Sequence, residues 1–388
     1  MILKKNWATL VVTIGTFFAF LIFGFADNLK GPILPVLLEE FNLSYAQGSN
    51  ILLMLYLGFM LSILGSGFIA GKYGNRNILL IAGLIISGAV IGMSLVHGQL
   101  LLYPLYLAIG IAIGGIEIGA NGAITDIYHE NSGKFLNLLA VFHGAGSMLA
   151  PWLAGIILGK GMPWQTIYKW SIFPILLLPL LFIFLKLITK GEKIIQPKTD
   201  KNRKQFFLNA NLILLAFLIL FYVSSEISFS SWLVDYLYKV RSFSIKSASI
   251  MLTAFWGLVM IGRFIASFIV DKIGYMKSLI IAVIFALISF SAGIIPGKMF
   301  AYLLPLTGLF LALIFPTVTA LAAGLFPENK AKVFSFLFFF AGLGGLAGPW
   351  VVGYSANWFG IAIGFPLLII FMIGTLVILF VLKGRLRP

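Results

Sequence analysis

Hydrophobic runs long enough to cross a lipid bilayer recur along the whole chain, from Trp7 to Leu382. A membrane-spanning helix needs roughly 20 apolar residues. Of the 388 residues, 61% are hydrophobic and 10% are charged, whereas about 25% of the residues in a soluble domain are charged. The pattern predicts an all-α membrane protein and excludes a secreted, cytosolic or DNA-binding protein.

The first run is too long for a secretory signal peptide, it lacks a small-residue cleavage site, and other runs follow it. We therefore expect no cleaved leader. The chain contains no cysteine, which excludes disulfides, thiolate catalysis and cysteine-ligated metals. The runs predict twelve membrane spans. Their predicted bounds are 7–29, 46–70, 77–97, 99–125, 135–158, 166–189, 208–234, 247–270, 276–295, 299–325, 331–355 and 361–383.

The net charge of +15 is explained by where the basic residues lie relative to these spans. With the N-terminus inside, 20 of the 27 lysines and arginines lie on the cytoplasmic side or near it. This bias predicts that both termini are cytoplasmic, in a bacterial or archaeal cytoplasmic membrane. The surplus charge thus reflects topology and attraction to anionic lipid, and we expect no nucleic-acid partner.

A charged segment divides the chain into two halves that repeat each other. We predict a cytoplasmic linker at residues 190–207, between an N-terminal six-helix bundle (1–189) and a C-terminal one (208–388). Such a duplication predicts two pseudo-symmetric bundles with a site at their interface near the bilayer midplane. Three pairs of segments match at offsets of 198 to 200: His143–Gly155 with Ala341–Gly353, Glu130–Lys134 with Glu328–Lys332, and Gly74 with Gly274.

Three acidic residues, Asp27, Glu117 and Glu226, are predicted to lie within the membrane. Each costs roughly 2.5–3.5 kcal/mol at the centre of a membrane helix, so a chain that keeps them is expected to use them. Glu117 shares a helix face with Asn121, and Glu226 shares one with Tyr222. Asp27 and Glu226 are 199 residues apart, at near-equivalent places in the two halves.

Each of these candidates has a structural alternative. Asp27 could pair with Lys30, and serines could hold Glu226 as a packing device. His143 is a candidate proton relay or substrate ligand, or else a satisfied interior histidine. Arg263, near the end of span 8, could extend to the interface or pair with Asp271. Aromatic rings that could stack on a sugar are Tyr222, Trp232 and Trp256.

The twelve spans in two halves, with Gly-x-x-x-Gly/Ala-Pro in spans 5 and 11, resemble the major facilitator superfamily. The loops after spans 2 and 8 resemble its Gly-x-x-x-Asp-Arg-x-Gly-Arg-Arg signature. The first copy, Gly67–Arg76, has Gly71 in place of the aspartate, and the second keeps Asp271, Lys272 and Gly274. The resemblance implies the major facilitator fold and gating roles for Arg76, Arg263 and Asp271.

Within that superfamily the chain resembles the fucose permease and glucose/mannose permease group of sugar:cation symporters. The resemblance rests on three sequence segments: Glu117–Asn121, Asn137-Leu, and Tyr222–Glu226 followed by Trp232. It implies that Glu117 and Asn121 contact sugar or proton, and that Asp27 or Glu226 couples the cation. Helix 1 departs from the group, since Gly31 stands where fucose permease has an aspartate.

These features predict a monomeric sugar:proton (or sodium) symporter that works by alternating access. We take Asn137, His143, Tyr222, Trp232 and Trp256 as further substrate-binding candidates. The alternative is a proton-driven exporter of amphipathic compounds, which could use the same acids. An enzyme is disfavoured because the chain has no His-Glu-x-x-His, Gly-x-Ser-x-Gly or cysteine motif. We expect no cofactor and no metal site.

Overall fold

A computed structural model describes residues 2–128, 132–188 and 209–386 of the chain, and every regular element in these residues is a helix. The predicted linker, residues 190–207, lies outside the described residues. The α-helices are α1 (Ile2–Asn28), α2 (Lys30–Glu40), α3 (Tyr45–Tyr73), α4 (Asn75–Ser94), α5 (Leu102–Ile127), α6 (Ser132–Gly159), α7 (Gln165–Ile188), α8 (Ala210–Arg241), α9 (Ile245–Ile273), α10 (Tyr275–Ile294), α11 (Lys298–Ala301), α12 (Leu306–Leu311), α13 (Ile314–Leu325), α14 (Lys330–Phe359), α15 (Ile361–Gly364) and α16 (Leu368–Arg385). Short 3-10 helices occupy Gln99–Leu101 and Pro327–Asn329.

The described residues contain twelve helical stretches long and apolar enough to cross a membrane, which confirms the predicted number. Most of the stretches are single helices. The first combines α1 and α2 (Thr9–Glu40), the tenth combines α11 to α13 (Lys298–Leu325), and the twelfth combines α15 and α16 (Ile361–Arg385). The chain is therefore an all-α protein with twelve spans.

The first span is longer than the sequence predicted. We placed its end at residue 29, but the chain continues through a break at Leu29 into α2. Pro32 has no N–H to donate to the carbonyl of Asn28, and its ring crowds that carbonyl, so it breaks the helix without ending the span. Asp27 consequently lies within the span and not at its outer end.

The seventh span is also longer than predicted. We placed its end at residue 234, whereas α8 continues to Arg241 and is capped by Ser242 in the left-handed conformation (φ 54°). Asn209 caps the other end, where its side chain accepts hydrogen bonds from the backbone N–H groups of Asn211 and Leu212. This extension places Asp235 inside a membrane helix.

The described residues form two compact units. The N-unit contains residues 2–33, 54–128 and 132–188, and the C-unit contains residues 34–53 and 209–386. The C-unit thus includes a segment from the first half of the sequence, namely the end of α2 and the start of α3. The sequence-based division into bundles at 1–189 and 208–388 remains a proposal.

Glycines let the helices of each unit approach closely. In the N-unit, a Cβ atom on Gly146 of α6 would overlap the carbonyl oxygen of Leu21 on α1. In the C-unit, a Cβ atom on Gly344 of α14 would overlap the carbonyl oxygen of Leu220 on α8. The two crossings fall in the repeated segments His143–Gly155 and Ala341–Gly353. They hold α6 close to α1 and α14 close to α8.

Candidate functional site

The acid on the first span is buried as an ion pair. The Lys30 ammonium lies 2.8 Å from Asp27 Oδ1, and both side chains are almost completely buried. Tyr56 of α3 donates a hydrogen bond to the same oxygen at 3.0 Å. Lys30 also donates to the Asp27 backbone carbonyl at 2.6 Å. The local pairing that the sequence left open is therefore present, and it compensates the Asp27 charge.

A second polar group of the N-unit joins α1 to α6. The Asn28 amide donates to the Gly24 carbonyl at 3.0 Å and to Ser147 Oγ at 2.9 Å. Ser147 in turn donates to the carbonyl of His143. The half-buried His143 ring lies edge-on to Phe23, with 4.6 Å between ring centroids. His143 thus lies beside the first span, where Ser147 links its backbone carbonyl to Asn28, the residue after Asp27.

Glu117 and Asn121 form a carboxylate–amide pair on α5. Asn121 Nδ2 donates to Glu117 Oε1 at 2.9 Å and to the Glu117 carbonyl at 2.8 Å. Both side chains are half-buried, in a span whose other polar groups are few. Gly110 and Gly114, two turns and one turn before Glu117, pack against Leu55 and Phe59 of α3. The pair can accept hydrogen bonds from hydroxyl groups through the carboxylate and can both accept and donate through the amide.

The C-unit contains a third polar cluster around the acid on α8. The Tyr222 hydroxyl donates to Glu226 Oε1 at 2.8 Å, so the predicted shared face is present. Arg263 of α9 interacts with the same hydroxyl. Among the described residues Arg263 forms no salt bridge with Asp271, which is exposed. Of the alternatives left open for Arg263, the ion pair with Asp271 is not formed in this structure, where Arg263 approaches Tyr222 on α8.

Other contacts are found for the remaining candidates. Trp232 is fully buried and donates its indole N–H to the Pro349 carbonyl at 3.0 Å, while Trp256 is buried against Phe255. Asn137 is exposed on α6. Arg76 is half-buried at the start of α4. In this structure the indole of Trp232 packs between helices, and its role in substrate binding stays a prediction.

Asp235 of α8 is the polar residue that sequence reasoning missed. Its side chain is completely buried, and within the described part of the chain the Tyr45 hydroxyl is the hydrogen-bonding group that faces it. The sequence-based prediction left Asp235 outside the membrane because the predicted seventh span ends at residue 234. One feature could have revealed it: residues 210–241 contain neither glycine nor proline, so nothing in the sequence breaks the helix before Asp235.

The sequence profile of the Major Facilitator Superfamily matches residues 16–304. A TsgA homologue from Buchnera aphidicola subsp. Schizaphis graminum is 25% identical over 338 residues, which cover 85% of each chain. A glucose/galactose transporter from Brucella abortus biovar 1 is 26% identical over 371 residues, covering 90% of this chain and 89% of that protein.

A solved structure shows the same fold. It is a bacterial homologue of the human lysosomal transporter Spinster in an inward-facing, unoccupied conformation, with a TM-score of 0.80 at 15% identity, covering 98% of this chain and 97% of that one. The resemblance read from the sequence motifs is confirmed by these matches. The twelve spans, the intramembrane acids and the family profile together establish that this chain belongs to the Major Facilitator Superfamily and is a multi-pass secondary transporter, not an enzyme.

Proposed function

We propose that this transporter is a sugar:proton symporter that works by alternating access. The observation that carries the proposal is the Glu117–Asn121 pair. A carboxylate and an amide, bonded to each other and half-buried within a membrane span, offer the acceptors and donors that sugar hydroxyls need. An ionisable group in such a place is by default a functional site.

The relatives support the same class of substrate. The Brucella abortus protein, which this chain matches over nine-tenths of its length, is a glucose/galactose transporter. We therefore take a hexose as the first substrate to test. The chain is placed in the cytoplasmic membrane of a bacterium or archaeon, with both termini in the cytoplasm, on the distribution of lysine and arginine.

Coupling is assigned to the acids of α1 and α8. A proton that crosses 100 mV supplies about 2.3 kcal/mol, enough for roughly a 50-fold accumulation. Asp27 exchanges a proton if Lys30 moves away from it, and Glu226 exchanges one through its bond with Tyr222. In both cases the interactions of the carboxylate change with its charge, which is the property that coupling requires.

The test is uptake by the purified protein in proteoliposomes. Radiolabelled glucose, galactose and fucose are offered under an imposed pH gradient, under an imposed sodium gradient and with no gradient. We expect hexose accumulation that depends on the pH gradient and collapses when a protonophore is added. Accumulation that follows only the sodium gradient would show that the coupling ion is sodium and not a proton. Dye extrusion without any hexose uptake would favour an exporter of amphipathic compounds and overturn the proposal.

A further inference from the structure

Residues 34–53, which we call the strap, are held tightly within the C-unit. The Asn50 side-chain oxygen accepts hydrogen bonds from the indole of Trp350 (3.3 Å) and the hydroxyl of Tyr354 (3.4 Å), both on α14. The Tyr45 ring lies 5.8 Å from the ring of Trp232 on α8. The strap therefore docks on α8 and α14 together.

The contact between strap and α14 leaves no spare volume. A Cβ atom on Gly353 would overlap Ser49 Oγ, and Ser49 is completely buried. The backbone N–H of Ala46 donates to the side-chain oxygen of Asn357 at 3.3 Å. A small displacement of the strap would break these contacts, because closely packed surfaces have discrete arrangements.

Asp235 lies beneath this strap. The titratable and charged groups that face it are the Tyr45 hydroxyl and the Glu39 carboxylate, both on the strap, and the Lys239 ammonium one turn along α8. Lys239 forms its ion pair with Glu39, so the nearest cation is bound to another acid. The Tyr45 hydroxyl is the one donor that these groups offer to Asp235, and neither carboxylate oxygen has a second hydrogen-bond partner among the described residues.

This arrangement suits the acid form of Asp235 and not the carboxylate. A buried carboxylate needs a cation or several hydrogen-bond donors, whereas the neutral acid has one donor of its own and a much smaller need for solvation. If Asp235 ionises, it must attract either Lys239, which breaks the Glu39 ion pair, or water. Each of these changes loosens the strap.

Two further side chains on the same face of α8 would take part in hydration. Ser228 and Ser231 precede Asp235 by seven and four residues, both are fully buried, and the hydroxyl of each lacks a hydrogen-bond partner in the described residues. Water admitted at the strap would satisfy all three groups at once. In the packed state these side chains form a row along α8 in which Ser228 and Ser231 have no hydrogen-bond partner among the described residues.

We propose that Asp235 is a proton-binding site that controls the strap: its protonation holds residues 34–53 on α8 and α14, and its ionisation releases them. The sequence position that corresponds to Asp235 in the first half, 199 residues earlier, is Val36. The device is thus specific to the second half, and it is separate from the coupling acids Asp27 and Glu226.

The chain has no cysteine, so single cysteines can report on the strap without further changes. A Leu52→Cys variant, which replaces a buried strap side chain by a smaller one, is treated in lipid nanodiscs with a maleimide reagent between pH 5 and 9, in the absence of any sugar. An exposed reference, Ser247→Cys, corrects for the intrinsic increase in thiol reactivity with pH. We expect the corrected labelling rate of Leu52→Cys to rise at least about 10-fold as the pH rises.

Adding Asp235→Asn, or Asp235→Ser if the first variant folds poorly, should keep labelling slow at every pH. The matched change Glu328→Gln, at an exposed glutamate, should leave the rise intact. A corrected rate that does not vary with pH would overturn the proposal, and so would an unchanged rise in both Asp235 variants. Because no substrate is present, these results are independent of whether the transporter carries a sugar.

Discussion

Helices α1 and α8 carry acids at matching sequence positions but compensate them differently. Asp27 is neutralised by the cation Lys30 and by the Tyr56 hydroxyl. Glu226 instead accepts from Tyr222 on its own helix, and position 229, which corresponds to Lys30, is phenylalanine. The halves have therefore kept an acid in the same place while changing the chemistry around it. In α1 a cation three residues along the chain contacts the acid directly, whereas in α8 the acid bonds a tyrosine hydroxyl that also interacts with Arg263 of α9.

The largest expected effect comes from removing the buried cation of the N-unit. Lys30→Met leaves the Asp27 charge uncompensated, and breaking a buried ion pair in this way costs about 3–5 kcal/mol. We expect a correspondingly lower free energy of unfolding for the detergent-solubilised protein. The double variant Lys30→Met/Asp27→Asn removes both charges and should recover most of the loss. A double variant as unstable as the single one would show that the ion pair is not what Lys30 contributes.

The next largest losses of stability are expected at the two helix crossings that contain glycine, and the two losses should be similar. Gly146→Ala and Gly344→Ala each place a methyl group against a backbone carbonyl of the neighbouring helix. Overpacking of this kind costs about 1–3 kcal/mol. The measurement is the unfolding free energy of each variant, with Gly65→Ala, where nothing lies within 4 Å of the added atom, as the control. Crossings that tolerate alanine as well as the control would contradict the close approach of these helices.

A smaller difference in stability is expected between variants of Tyr56 and Tyr222, the tyrosines that bond the two acids. Tyr56→Phe removes a hydrogen bond to the ion-paired carboxylate, which is worth about 1.5–3 kcal/mol, since bonds to charged groups are the stronger ones. Tyr222→Phe removes a bond worth about 1 kcal/mol if Glu226 is neutral. We expect the unfolding free energy to fall more for Tyr56→Phe than for Tyr222→Phe. The opposite order would mean that Glu226, and not Asp27, is the charged acid.

The sequence predicted the spans and the contacts within a helix. Twelve apolar runs are visible without any tertiary information. The pairs Glu117–Asn121 and Tyr222–Glu226 are four residues apart, and residues so spaced meet on any α-helix. These features depend only on local periodicity, and the structure confirms them.

Features that depend on packing could not be predicted from the sequence. Pro32 and the charged residues after position 234 made two spans seem to end early, although Pro32 only breaks its helix and α8 continues to Arg241. The burial of Asp235 follows from the strap, which docks from almost 200 residues away in sequence. Arg263 approaches Tyr222 on another helix, and no spacing along one helix could show that contact.

Glu117 is the residue on which the proposed symport depends most, and one measurement tests its role directly. Hexose accumulation is driven by an imposed pH gradient in proteoliposomes that contain either the unchanged protein or the Glu117→Gln variant, at equal and verified amounts of folded protein. Glutamine keeps the size of the side chain and its contact with Asn121 but cannot ionise. The exposed change Glu328→Gln serves as the control and should accumulate normally. We predict that Glu117→Gln inserts and folds but accumulates no hexose, whereas accumulation equal to that of the unchanged protein would contradict the account.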